Sequence, residues 1–408
     1  MGDVALDNAL IDMYAKAGEF SDARHAFDEM PYRNVISWTS LITACGRNGY
    51  GEDAVTLFNR MVEDGVKPND VTFLSLLSAC GHCGLTSKGM EYFTSMMSKY
   101  GIDPRAEHYC SAIDLLARGE VIVRDEMTNI ISRVPSLAGP LLRMHFHDCL
   151  VNGCDASVLL NSTPGSPSEK ESIPNLSLRG FGTVDRVKAK LEHACPGVVS
   201  CADILALVAR DVVVLTKGPY WDVPTGRRDG TRSVKEDPVS NLPPPFFDAT
   251  RNLNQFFIPK GLNAKDQVVL LGGHTLGTSH CSSFSDRLYN FSSASMADPT
   301  LDKRYVPRLK NKCKPGDKTT LVEMDPGSFK TFDTSYYRHI AKGRALFTSD
   351  ETLMLDPFTR GYVLRQANVA GYPAEFFSDF AASMVKMGNM QVLTGAQGEI
   401  RRHCAFVN

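Results

Sequence analysis

The chain has no run of about 18 apolar residues, the length a membrane-spanning helix requires, so no transmembrane span is expected. It has no excess of one charge either. Its 44 Lys and Arg nearly balance 46 Asp and Glu, for a formal net charge of −2, so no whole-chain field favours nucleic acid. The opening Met1-Gly2-Asp3-Val4-Ala5-Leu6-Asp7 has neither the basic nor the apolar region of a secretory leader, and it is not Arg/Ser-rich like a transit peptide. Taken as complete, the chain is expected to stay in the cytosol. No Gly/Ser-rich or Pro-rich linker separates its parts. What is present is ordinary soluble globular material, 43% hydrophobic and 22% charged over 408 residues, enough for two or three domains.

The first part repeats. Asn8-Ala9-Leu10-Ile11-Asp12-Met13-Tyr14, Thr39-Ser40-Leu41-Ile42-Thr43-Ala44-Cys45 and Leu74-Ser75-Leu76-Leu77-Ser78-Ala79-Cys80 align, and Cys110-Ser111-Ala112-Ile113 opens a partial fourth copy. The starts are 31, 35 and 36 residues apart, a spacing that marks helical-hairpin solenoids. Gly18, Gly49 and Gly84 follow the first helix of each unit, and segments such as Ala54–Met61 supply the second. Residues 3–119 resemble pentatricopeptide repeats. That family binds single-stranded RNA, about one base per repeat. By position the reading pairs are Asn8 with Asn34, Thr39 with Asn69, and Leu74 with Arg105. The last pair does not fit the polar pattern. With so few units, RNA binding is not expected to be useful. Cys80-Gly81-His82-Cys83 has no second close pair to complete a zinc site.

The pattern changes at Gly119-Glu120. From Val121 onward the repeat does not return, and the domains are read as 1–119 and 120–408. The later part carries Arg143-Met144-His145-Phe146-His147-Asp148-Cys149 and, far downstream, Gly272-Gly273-His274-Thr275. A His just after the apolar run Val268–Leu271 can serve as an axial iron donor. Arg143 and His147 stand one helical turn apart on one face. A near-neutral His can move the protons of a peroxide, and a fixed guanidinium can stabilise the developing charge. His145 points to another face and is given no role.

These motifs, in order with Val199–Leu205, Gly226-Arg227-Arg228-Asp229, Asp286–Phe291 and Lys386-Met387-Gly388-Asn389, closely resemble the class III (secretory plant) haem peroxidases over about residues 121–408. The resemblance implies a mainly α fold, here preceded by the short helical-hairpin solenoid. It implies haem b, two calcium ions, and oxidation of phenolic or similar aromatic donors by hydrogen peroxide, with roles in hydrogen peroxide catabolism and the response to oxidative stress. Residue by residue it places Asp350 behind His274, and Asn175 behind His147. Calcium would be held by Asp148, Asp155, Ser157 and the carbonyls of Val151 and Gly153, with Glu169 through water, since hard oxygen donors suit calcium. A second calcium would take Thr275, Asp325, Ser328, Thr331 and Asp333. Pro243, in Leu242-Pro243-Pro244-Pro245, would line the aromatic-donor site.

The family's disulfides map to Cys149–Cys154, Cys201–Cys404 and Cys281–Cys313. The fourth joins Cys195 to a cysteine in a segment that the repeats replace, so Cys195 is expected to be unpaired. Asn161, Asn175 and Asn290 open glycosylation sequons. The family points to a secreted, monomeric, glycosylated enzyme, whereas the N-terminus points to the cytosol. The competing readings are an RNA-binding repeat protein and an inactive fusion or gene-model artefact.

Overall fold

The computed structural model describes residues 4–408, apart from the side chains at 86, 87, 110 and 113–118. The side chains of Cys110 and Ile113, in the partial fourth repeat copy, therefore lie outside the described residues. The chain divides into two compact units: Met1–Ile122 with Ala189–Val199, and Val123–Lys188 with Ser200–Asn408.

The first unit is a run of antiparallel helices: α1 (Val4–Ala17), α2 (Phe20–Glu29), α3 (Val35–Arg47), α4 (Gly51–Glu63), α5 (Asp70–His82) and α6 (Thr86–Ser98). Gly18, Gly49 and Gly84 all take positive φ, the left-handed turn that ends a helix where a Cβ would be strained. One apolar face of each helix builds the core. Phe27 meets Trp38 edge-on at 4.9 Å and Phe58 meets Phe73 at 5.2 Å, so neighbouring units share aromatic contacts.

Asn34 and Asn69 are spent locally. Asn34 Oδ1 accepts from Ile36 N and Ser37 N, and Asn69 Oδ1 accepts from Thr72 N, each within a capping box. Thr39 shares a 2.8 Å hydrogen bond with Thr72, and Arg105 pairs with Asp70. The positions offered above as base readers are thus largely engaged as caps and packing contacts. Asn is among the residues preferred at the N-cap, where its side-chain oxygen satisfies an orphan amide of the helix start.

α7 (Ala106–Arg133) is one helix of 28 residues that runs through Gly119 and Glu120. The sequence pattern changes there, but the helix does not break. No proline stands in it, and a single Gly costs a helix only about 1 kcal/mol.

The second unit is also mainly helical. Its central helix, α8 (Ala138–Asn152), is buried nearly all round, as a core helix must be, and packs on α9 (Cys201–Leu215). Ser200 caps α9 by accepting from Asp203 N. The helix Ala264–Leu271 starts at an Asn263 capping box and tightens into the 3₁₀ turn Gly272–Thr275. α8 comes against this region through glycines. A Cβ on Gly139 would lie 2.9 Å from Gly277 Cα, and Gly277 has φ +92°, so neither position admits a side chain. Strands β1 (Thr278–His280) and β2 (Leu321–Glu323) pair antiparallel, with Ser279 opposite Val322. Three disulfides close this unit: Cys149–Cys154, Cys201–Cys404 and Cys281–Cys313. Cys195 is buried.

Candidate active site

Arg143 and His147 lie on one face of α8, and the helical turn between them brings their side chains together. Arg143 Nε donates to His147 Nε2 at 3.0 Å. On the other ring nitrogen, His147 Nδ1 lies 2.7 Å from Asn175 Oδ1. An amide oxygen only accepts, so Nδ1 carries the proton and Nε2 holds the lone pair. Asn175 is fixed in turn, since its Nδ2 donates to the Glu169 carbonyl at 2.8 Å. The guanidinium is anchored by bonds from Nη1 to Ser177 Oγ (2.8 Å) and from Nη2 to the Pro174 carbonyl (2.9 Å). One short segment, 174–177, therefore orients both side chains.

Burial, reinforced by the Arg143 charge and opposed by the Asn175 hydrogen bond, holds the His147 proton affinity well below the usual imidazole range. Burial lowers Arg143 to about 10, so it stays cationic at neutral pH. His147 is thus a neutral base beside a fixed cation. His145 is separate: its ring lies near Cys149 Sγ, and burial together with Arg227 pushes it down to about 3.

His274 stands at the end of the 3₁₀ turn. Its Nδ1 lies 3.2 and 3.1 Å from the two oxygens of the fully buried Asp350. Nε2 has no hydrogen-bond partner among the described residues and can serve as a donor atom. Phe347 and Tyr336 meet the imidazole edge-on at 5.4 and 5.8 Å. Tyr336 also donates from Oη to Asp350 Oδ2 at 2.6 Å. Burial, then the charge of Asp350, holds this phenol well above its usual range and hence neutral. Sequence reasoning passed over Ser177 and Tyr336. Nothing in their local sequence sets them apart from structural residues.

The oxygen-rich loop after α8 is also assembled. Asp148 Oδ2 accepts from Ala156 N at 2.9 Å, and Asp155 Oδ1 from Ser157 N at 2.9 Å. Ala156 adopts the left-handed conformation, φ +58°, and Arg401 Nη2 binds its carbonyl at 2.7 Å. Arg401 is a further residue the sequence did not single out. Ser157 Oγ and Glu169 Oε2 are buried without a partner in hydrogen-bond geometry. Burial raises Asp148 well above the carboxylate range and Glu169 to about 8, and raises Asp155 as well. Buried carboxyls beside orphaned oxygens fit a hard cation.

The second set converges too. Thr275 Oγ1 donates to Asp325 Oδ2 at 3.0 Å, and Ser328 Oγ to Asp333 Oδ2 at 2.6 Å, while Thr331 offers its carbonyl 3.4 Å from Thr275 Oγ1. Asp325 Oδ1 is buried without a hydrogen bond, although His339 Nε2 lies 3.1 Å away. Among the described residues no three His, Cys, Asp or Glu side chains cluster as a cage. Each set combines carboxylates with hydroxyl and carbonyl oxygens.

Pro243 is partly buried, and the nearby Pro245 carbonyl accepts from Ser349 N, one residue before Asp350. Of the sequon asparagines, Asn161 and Asn290 are exposed and Asn175 is buried. Among the described residues no helix is long and apolar enough to cross a membrane.

Comparison with known proteins gives two families. The model described as peroxidase matches residues 123–369. The PPR repeat family matches residues 33–82, and the PPR repeat matches 8–35 and 71–100. Peroxidase 1 of Oryza sativa subsp. japonica is 59% identical over 293 residues, which is 71% of this chain and 89% of the relative. Peroxidase 27 of Arabidopsis thaliana is 53% identical over 289 residues, 71% and 88% of the two chains. Peroxidase 3 of the same plant is 52% identical over 291 residues, again 71% and 88%.

Proposed function

We propose, from the premise that this chain belongs to the peroxidase family, that its second unit oxidises phenolic or similar aromatic donors with hydrogen peroxide at a haem b ligated by His274. The observation that carries this reading is a pair of preorganised histidines. His274 is held through Nδ1 by Asp350, and its Nε2 has no hydrogen-bond partner among the described residues; His147 is held through Nδ1 by Asn175, so its Nε2 carries the lone pair, which Arg143 Nε meets. The overall reaction is one peroxide plus two donors to two waters and two one-electron-oxidised donors.

When bound, haem would supply the redox-active iron that His274 holds and the two-electron chemistry of peroxide reduction. The remaining work belongs to side chains. Neutral His147 Nε2 takes the proton from the near peroxide oxygen and returns it to the far one, which leaves as water. For that, Arg143 Nε must first release His147 Nε2. The guanidinium stays tethered by Ser177 and Pro174 and turns its charge to the parting oxygen. Asn175 keeps the base in the right tautomer throughout. Asp350 draws on the His274 Nδ1 proton, which gives the imidazole more anionic character and would make its Nε2 a stronger donor to a bound iron.

Calcium would be held by Asp148, Asp155, Ser157, the Val151 and Gly153 carbonyls and, through water, Glu169. A second ion would take Thr275, Asp325, Ser328, Thr331 and Asp333. Each set lies next to one of the two histidines, so each ion would stiffen a working residue. Pro243 would line the donor site. The three disulfides and the exposed Asn161 and Asn290 suit an oxidising, glycosylating compartment, which favours a secreted enzyme. The repeats do not favour RNA as the main ligand, because Asn34 and Asn69 serve as helix caps.

The test uses the full chain reconstituted with haem and calcium. General acid–base steps contribute about 10²–10⁴ in rate, so His147→Leu should slow the stopped-flow reaction with peroxide at least about 10²-fold while the haem spectrum persists. An unchanged rate would remove His147 from its role.

A further inference from the structure

We propose that Tyr336 is a positioning residue that sets how strongly Asp350 pulls on His274. It does so by taking up one of the two carboxylate oxygens. The inference rests on His274 as the iron ligand and adds a third member behind it. Tyr336 Oη donates to Asp350 Oδ2 at 2.6 Å, whereas His274 Nδ1 lies 3.2 and 3.1 Å from the two oxygens. The phenol makes the shorter bond. The imidazole is shared loosely between both oxygens, and the oxygen nearer to it is the one the phenol already occupies.

The geometry leaves little freedom. Asp350 and Tyr336 are both 0% exposed. Tyr336 sits in the helix Ser335–Ala341, and its ring also meets the His274 ring edge-on. Asp350 belongs to the short helix Thr348–Glu351. The carboxylate is thus gripped between two elements, and Tyr336 meets both partners, Asp350 by a hydrogen bond and His274 by a ring contact. In a dry site a hydrogen bond to a charged oxygen is stronger than in water. It also draws electron density from the acceptor. A carboxylate that already accepts from a phenol is a weaker acceptor for Nδ1–H.

The direction follows. With Tyr336 in place, Asp350 is restrained and His274 stays closer to neutral imidazole. Without the hydroxyl, both oxygens turn to His274, the ligand becomes more imidazolate-like, and the ferric state gains over the ferrous. Tyr336 would therefore trade some push on the iron for a fixed carboxylate.

The experiment compares full-length, haem-reconstituted parent, Tyr336→Phe, Asp350→Asn and the double variant. Two readouts are taken: the ferric–ferrous midpoint potential and the iron–histidine stretching frequency. Phe keeps the ring against His274 and removes one oxygen, so the fold should hold. Tyr336→Phe is expected to move the midpoint to more negative potential and the stretch to higher frequency. In the Asp350→Asn background the same change should add no further shift, because no carboxylate remains to modulate. A shift of equal size in both backgrounds, or in neither, overturns the inference, since simple packing would behave that way. His274→Ala separates the two levels. If it leaves the haem spectrum unchanged, the ligand assignment and this inference fall together. If it abolishes the spectrum while Tyr336→Phe moves neither readout, only the role of Tyr336 falls.

Discussion

Replacing Asn175 isolates what the segment beside α8 contributes to the base. The amide oxygen accepts the His147 Nδ1 proton at 2.7 Å inside a buried pocket. Asn175→Ala removes that acceptor. A buried donor without a partner costs about 1–3 kcal/mol, and the ring can relieve this by moving its proton to Nε2, the wrong nitrogen for a base. If that cost appears in the barrier, at about 1.4 kcal/mol per factor of ten, the peroxide step slows roughly 5- to 150-fold. Asn175→Asp does something different. A carboxylate beside Nδ1 favours the imidazolium. In the parent, burial and Arg143 keep His147 well below its usual range, so the base is unprotonated across neutral pH. In the Asp variant the acid limb of the pH–rate profile should rise toward neutrality. In the Ala variant it should not rise, because the lost hydrogen bond was the one influence raising that proton affinity. The plateau alone should drop. Stopped-flow mixing with peroxide across pH reads both quantities, and a melting curve checks that the fold survives. An Ala variant with an undiminished plateau, or an Asp variant whose acid limb stays put, would refute this account of the base.

Two further outcomes concern stability and the repeats. Cys201 and Cys404 close a loop with a separation of 203, against 5 for Cys149 and Cys154, so by chain entropy the double Ala replacement should cost about 5 kcal/mol for the first pair and about 2 kcal/mol for the second; denaturant midpoints that rank them in reverse would show that entropy does not dominate. The full chain should show no sequence-selective RNA retention on filters at physiological salt, and tight, selective retention would reverse the reading of Asn34 and Asn69 as caps.

Much of the candidate site could be read before any coordinates, for reasons of spacing. Arg143 and His147 are four apart, and a helix of 3.6 residues per turn must put them side by side. The repeats were legible because a period survives sequence drift. Asn175 and Asp350 required the family resemblance, since neither is close in sequence to the histidine it serves. Tyr336, Ser177 and Arg401 escaped notice for a related reason. Each reaches the site through a hydrogen bond to a partner 14, 34 or 245 residues away, and no local pattern records such a contact. The change of pattern at Gly119 was visible, but the continuity of α7 was not, because a helix can carry two unrelated patterns in sequence. The asparagines offered as base readers show the opposite limit. Position within a repeat suggested recognition, and the same position is also where a helix needs its cap.

The most direct test of the central claim is the ligand itself. His274→Ala in the full chain, reconstituted with haem, should abolish or greatly weaken the Soret band, and added imidazole should restore part of it by filling the vacated position. A Soret band of parental intensity and wavelength in His274→Ala without imidazole would contradict the assignment and the function built on it.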